Sequence, residues 1–234
     1  MKTQLGSIVD RPVLEASEPH VALALVLDVS GSMSGEKMDS LNDSVNQMIN
    51  QLKQDERLSK IVDLGIFTFG EKDKACVHQG FRAISDCENI CLEANDSSTY
   101  VADTLNMAID RLRDRRHLYE KSAGAYKPWL ILITDGEFHD TQNELEQVTG
   151  KLKLQESSGK IRFFGIGTEG FNRSQLECLT NNSKYVIEFT KESFKTRSKE
   201  FFSWVGRSMP VISSKSVIEE KEGNGTLPPL VFSL

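Results

Sequence analysis

Apolar positions along the chain alternate between two periodicities. Val21–Leu27, Ile61–Phe69, Trp129–Thr134 and Ile161–Gly167 are short runs rich in aliphatic, aromatic and β-branched residues that predict strands, the first with the nearly unbroken apolar pattern of a strand buried on both faces. Between them, apolar residues recur at three- and four-residue steps. Met38, Leu41, Val45, Met48, Ile49 and Leu52 predict a helix over about 36–54. Leu105, Ala108, Ile109 and Leu112 predict another from Val101 to about Tyr119. Leu145, Val148, Leu152 and Leu154 predict a third over 142–157, with all four facing inward.

The remaining segments complete the order. Ala75–Phe81 pairs with Ile61–Phe69 as a hairpin across Glu71–Lys74. Residues 82–98 read as mostly loop, with a polar turn at Asn95-Asp96-Ser97-Ser98. A short helix at Arg173–Asn181 leads to a last strand, Lys184–Phe189, and a final helix over about 193–209. The aromatic face of that helix, Phe201, Phe202, Trp204 and Val205, reads as core rather than as an exposed docking surface. Strands alternating with helices predict an α/β fold: a doubly wound, mainly parallel central sheet, one antiparallel edge strand from the hairpin, and helices on both faces. Residues 1–19, with Pro12 and Pro19, form a lead-in with one short edge strand. Residues 20–210 form the domain, and 211–234 a polar tail containing Leu227-Pro228-Pro229.

Composition narrows the setting. A chain of 234 residues fits one large α/β domain with short extensions. The net charge of -6 is spread among mixed signs, and no basic stripe points to nucleic acid or to an anionic membrane. The longest uncharged apolar run is about eight residues, far short of the roughly 20 that span a bilayer. Asp10, Arg11, Glu15 and Glu18 interrupt any signal-peptide core. Cys76, Cys87, Cys91 and Cys178 form no CxxC pair and read as free thiols, so a cytoplasmic protein is expected.

The candidate chemistry lies at strand ends. The first apolar run closes in Asp28-Val29-Ser30-Gly31-Ser32, and the Trp129–Thr134 strand closes in Asp135-Gly136. In a parallel sheet both ends fall on the carboxyl edge, where open α/β sheets bind ligands. Two carboxylates brought together repel, and a divalent cation relieves that cost. Ser30 and Ser32 can turn their hydroxyls to one point, and Thr99, just before the Val101 helix, can add a third. These hard oxygen donors suit Mg²⁺ or Mn²⁺, with Ca²⁺ less favoured. Singly, a Ser-Gly-Ser is often a helix cap and an Asp-Gly a turn. Their joint occurrence on these strands is what points to a site.

Asp28-Val29-Ser30-Gly31-Ser32 resembles the DxSxS motif of the von Willebrand factor A domain. Thr134-Asp135-Gly136 resembles that family's TDG, and Thr99 its middle threonine, over a stretch of about residues 20–210. Ser97-Ser98 stands where many members carry Gly-Gly. The resemblance implies a metal-ion-dependent adhesion site. Ser30, Ser32 and Thr99 would ligate Mg²⁺ through hydroxyls, Asp28 and Asp135 would act through water, and one position would remain for an acidic group of a partner protein. Leu25–Lys37, Trp129–Glu137, Phe201-Phe202-Ser203-Trp204 and Leu227-Pro228-Pro229 are similar to the bacterial TerY-like subgroup. That subgroup implies a cytosolic role in tellurite resistance and stress, beside a protein kinase and a metal-dependent protein phosphatase, with no catalytic residues of its own.

The reading that follows is a metal-dependent protein-binding module and not an enzyme. The alternative is a Mg²⁺-dependent phosphohydrolase. Against it, Asp28-Val29-Ser30 lacks the second Asp of the aspartyl-nucleophile motif, and no Gly-rich phosphate loop with a Lys is present. Glu137, His139 and Asp140 are candidates for acid or base roles, or form a solvated rim. A third reading is a docking scaffold in which the metal is incidental.

Overall fold

The computed structural model describes residues 8–13, 18–71, 74–95, 99–168, 170–190 and 192–214. The chain runs β1 (Val21–Asp28), α1 (Glu36–Lys53), α2 (Leu58–Ile61), β2 (Val62–Glu71), β3 (Lys74–Ala83), α3 (Ala102–Glu120) and β4 (Trp129–Thr134). It continues α4 (Gln142–Ser157), β5 (Arg162–Thr168), α5 (Arg173–Cys178), β6 (Val186–Phe189) and α6 (Phe194–Ser214). The six strands form one sheet in the order β3-β2-β1-β4-β5-β6. All neighbours are parallel except β2 and β3, so the expected antiparallel edge strand is β3.

β1 lies inside the sheet, paired with β2 from Val21↔Val62 to Asp28↔Phe69 and with β4 from Leu23↔Trp129 to Leu27↔Ile133. Its side chains divide by parity, as the two-residue period of a strand requires. Val21, Leu23, Leu25 and Leu27 pack with α1 and α6; Ala22, Ala24 and Val26 pack with α3 and α4. The small Ala22 and Ala24 leave room for the Leu105, Ile109 and Leu112 face of α3. The aromatic residues of α6 are core, as expected: Phe201, Phe202 and Trp204 are buried, and the Trp204 ring lies 5.7 Å from Trp129 and 5.5 Å from Phe164.

Several expectations change. Leu154 is 63% exposed, because it sits two residues from the buried Leu152 and so nearly opposite it on α4. α6 continues to Ser214 with Pro210 inside it, so the first four residues of the expected tail are helical. A proline in a helix removes one backbone hydrogen bond and need not end the helix. β6 starts at Val186, after a 3₁₀ turn at Ser183–Tyr185, and the short α2 was not anticipated. Residues 8–13 of the lead-in form no strand. They lie on the β3 edge, where the Arg11 amide donates to the Phe81 carbonyl at 2.8 Å and the Phe81 amide donates to Asp10 Oδ1 at 2.7 Å. Residues 1–7, 14–17 and the tail from 215 onward, including Leu227-Pro228-Pro229, lie outside the described residues.

At the opposite end of the sheet from the Asp28 loop, the second residue of β2 is the buried Asp63. Its Oδ2 accepts from Arg115 Nε at 2.8 Å, Arg115 Nη2 at 2.6 Å and the Tyr119 hydroxyl at 2.5 Å. Both charges are about 1% exposed, so removing the guanidinium strands a buried carboxylate. Arg115→Met is expected to cost about 3–5 kcal/mol in urea unfolding. A loss below about 1 kcal/mol, the usual range of a surface pair, would refute this role.

Candidate metal centre

Adjacent parallel strands bring the two acids together. Asp28 ends β1 and Asp135 follows the last residue of β4, so both emerge on the carboxyl edge one strand apart. Asp28 is fully buried, and both its oxygens are held: Oδ1 accepts from the Ser30 amide at 2.9 Å and Oδ2 from the Thr134 hydroxyl at 2.7 Å. Burial pushes the Asp28 carboxyl above the usual carboxylate range. The bonds from Ser30 and Thr134 oppose that rise, and the nearby Asp135 charge adds to it. Asp135 Oδ1 accepts from the Ser32 hydroxyl at 2.6 Å, and Oδ2 from Lys37 Nζ at 2.6 Å. The Ser30 and Ser32 hydroxyls are 3.1 Å apart. Thus Asp28, Ser30, Ser32 and Asp135 form one connected cluster, with Ser32 at its exposed side.

The loop after β1 is fixed from two directions. The Val29 amide donates to the Phe69 carbonyl at 2.9 Å, and the Val29 carbonyl accepts from the Asn95 amide at 2.7 Å. Gly70 has a φ of +88°, and a Cβ on it would lie 2.6 Å from the Ser30 nitrogen, so only glycine fits against this loop. Residues 87–95 are laid along α1 by two asparagines. Asn42 bonds both the amide and the carbonyl of Leu92 at 2.8 and 3.0 Å, and Asn46 does the same for Ile90 at 2.7 and 2.9 Å.

Thr99 arrives from the other side of the sheet. It is buried beside the Asp135-Gly136 turn: its Oγ1 is 3.1 Å from where a Gly136 Cβ would stand. The Thr99 amide donates to His139 Nδ1 at 3.1 Å, and the Thr99 carbonyl accepts from the His139 amide at 2.9 Å. Asp140 caps α3, its two oxygens accepting from the Val101 and Ala102 amides at 2.9 Å each. His139 and Asp140 therefore anchor the Thr99 loop while remaining part of a solvated rim, with His139 exposed and Asp140 partly so. The sequence reading missed this because a cap supplied from 38 residues downstream leaves no local signature. Ser97 and Ser98 lie outside the described residues.

The donor set is two carboxylates and three hydroxyls, and among the described residues no three His, Cys, Asp or Glu side chains are grouped so as to hold a metal ion by themselves. Oxygen donors alone fit a hard divalent cation, and a buried carboxylate beside a second one is the environment such a charge stabilises. Because its folded pKa is raised, Asp28 holds a proton more tightly in the folded chain than in the unfolded one. Its contribution to stability is therefore greatest below the ordinary carboxylate pKa and is lost as pH rises through the raised value. In chelator, Asp28→Asn should melt higher than the parent chain at pH 7, with the gap closing towards pH 4. Equal melting temperatures across that range would refute it.

The sequence profile of the von Willebrand factor type A domain matches residues 22–203. No curated protein matches the chain by sequence. Among solved structures, the vWF domain of the type V pili tip protein Mfa5 from Porphyromonas gingivalis superposes with a TM-score of 0.61 at 10% identity, covering 86% of this chain and 98% of that one. The pilus adhesin SpaC from Lactobacillus rhamnosus GG gives 0.58 at 12% identity, over 82% of this chain and 31% of the adhesin. Proximal thread matrix protein 1 from the mussel byssus gives 0.52 at 16% identity, over 82% of this chain and 47% of that protein. The chain thus spans under half the length of the last two. At these identities the likeness is one of fold.

Proposed function

The chain belongs to the von Willebrand factor type A domain family, and from that premise we propose that it captures an acidic group of a partner protein through a divalent cation held at the Asp28–Asp135 edge. The observation that carries the reading is the hydrogen-bonded cluster Asp28, Ser30, Ser32 and Asp135, with Thr99 beside Gly136, assembled from adjacent strand ends. Ser30, Ser32 and Thr99 would hold the cation through hydroxyls, and Asp28 and Asp135 would balance its charge from behind. The cation supplies an electrophilic position that a carboxylate fills better than a neutral group does. Mg²⁺ is the preferred occupant, then Mn²⁺, because Ser30 and Thr99 sit on backbone bonded from both sides and Mg²⁺ demands the stricter geometry.

The chain's own residues favour binding over catalysis. His139 Nδ1 and both Asp140 oxygens are committed to backbone amides of the Thr99 loop, which argues against their use as acid or base. Within the family, the Leu25–Lys37 and Trp129–Glu137 stretches support a TerY-like role in a cytoplasmic stress or tellurite-resistance complex, with a kinase and phosphatase pair as partner class. No helix among the described residues is long and apolar enough to cross a membrane.

Calorimetric titration of Mg²⁺ and Mn²⁺ into chelator-treated chain should give saturable one-to-one binding, abolished in the Ser30→Ala/Ser32→Ala double variant. Capture of the partner should then require the metal and be reversed by chelator. Absence of metal binding by the parent chain, with or without lysate, would overturn the reading.

A further inference from the structure

Lys37 stands where helix physics does not want it. It is the second residue of α1, in the first turn, where the helix's positive end favours acids, and Glu36 and Asp39 there conform. The helix has Gly35 as its N-cap with no side-chain cap bond, and a lysine ammonium, which has no acceptor, cannot cap the free amides there. What fixes its ammonium is the site: Nζ lies 2.6 Å from Asp135 Oδ2. The Asp135 side chain is fully buried and that of Lys37 is 19% exposed, so a partly exposed lysine brings its ammonium to a buried carboxylate. With Ser32 on Oδ1, both Asp135 oxygens are engaged.

A divalent cation at this cluster and the Lys37 ammonium draw on the same buried carboxylate. Two cations on one carboxylate repel, and the lysine is the one on a flexible four-carbon stem with water within reach. We propose that Lys37 is a built-in competitor for the metal, which must displace its ammonium from Asp135 before the site fills. The inference rests on the metal-site reading above and adds a regulation to it. Lys37 sets the concentration threshold at which the site loads. It also biases the site against monovalent ions, which bring Asp135 no more charge than the lysine already provides.

The test is Mg²⁺ titration of chelator-treated parent, Lys37→Met and Lys37→Arg, by calorimetry and by thermal melting. Lys37→Met keeps the apolar stem and removes the charge. It should bind Mg²⁺ at least tenfold more tightly than the parent, a gain of about 1.4 kcal/mol. Its melting temperature should be lower than the parent's in chelator, and the deficit should shrink when Mg²⁺ saturates. Lys37→Arg, which keeps a cation, should stay near the parent affinity. Binding seen only in Lys37→Met would overturn the proposal, because a competitor must still yield to the metal in the parent chain. Parent binding with an equal or weaker affinity in Lys37→Met would overturn it and assign Lys37 to holding Asp135 in place, leaving the metal-site reading intact. No binding by any of the three would overturn both.

Discussion

A carboxylate placed at zero exposure on the last residue of a central strand constrains everything around it. Desolvating an ionised group is costly, and Asp28 offsets part of that cost with one donor from each direction. The Ser30 amide reaches back to it, which dictates the turn after β1. The Thr134 hydroxyl reaches across to it, which requires β4 as the neighbouring strand in the observed register. Gly70 then has to be glycine, since the turn leaves no room for a Cβ against the Ser30 nitrogen. The same placement puts Asp135 within electrostatic range, so the structure concentrates negative charge at one point of the sheet edge.

That point is also where the two helical layers meet. α1 packs on the face of Leu23, Leu25 and Leu27; α3 packs on the face of Ala22, Ala24 and Val26. Lys37 comes from the first layer and Thr99 leads into the second, and both arrive at the Asp135-Gly136 turn. A cation at this edge would draw on groups from both sides of the sheet, so loading it would stiffen the contact between layers as well as the loops themselves.

The strands and long helices were legible because each follows one periodicity over enough residues to exclude the other. Residues 142–157 match the observed α4 end for end, yet Leu154 faces outward, since it lies about 200° around the helix from the buried Leu152. The residues that cluster at the sheet edge were legible as strand-terminal acids and neighbouring hydroxyls, a pattern carried by a few consecutive positions. What supports them was not. Asn42 and Asn46 bonding Leu92 and Ile90, and His139 and Asp140 bonding the Thr99 loop, join segments about 40 residues apart or more through side chains bonding backbone. Such pairs leave no spacing in the sequence. Lys37 carries no signal in the sequence, because a lysine early in a helix becomes informative only through its partner, here Asp135.

The supports divide the cluster into a fixed part and a yielding part. Ser30 is held between the Phe69 strand end and Asn95, and Thr99 is clasped on both its amide and carbonyl by His139. Ser32 and Lys37 have no such clasp. Ser32 is exposed on a short 3₁₀ turn, and Lys37 is a long side chain held at its tip. Geometry that selects a small cation needs the first kind of ligand, because a site that can expand loses its preference for Mg²⁺ over larger ions. On the proposed reading, exchange of a cation and approach of a partner would need the second kind, because something must move for either to occur. The fixed residues lie inward and the yielding ones outward, which is the order a site requires if it is to be selective at its base and accessible at its mouth.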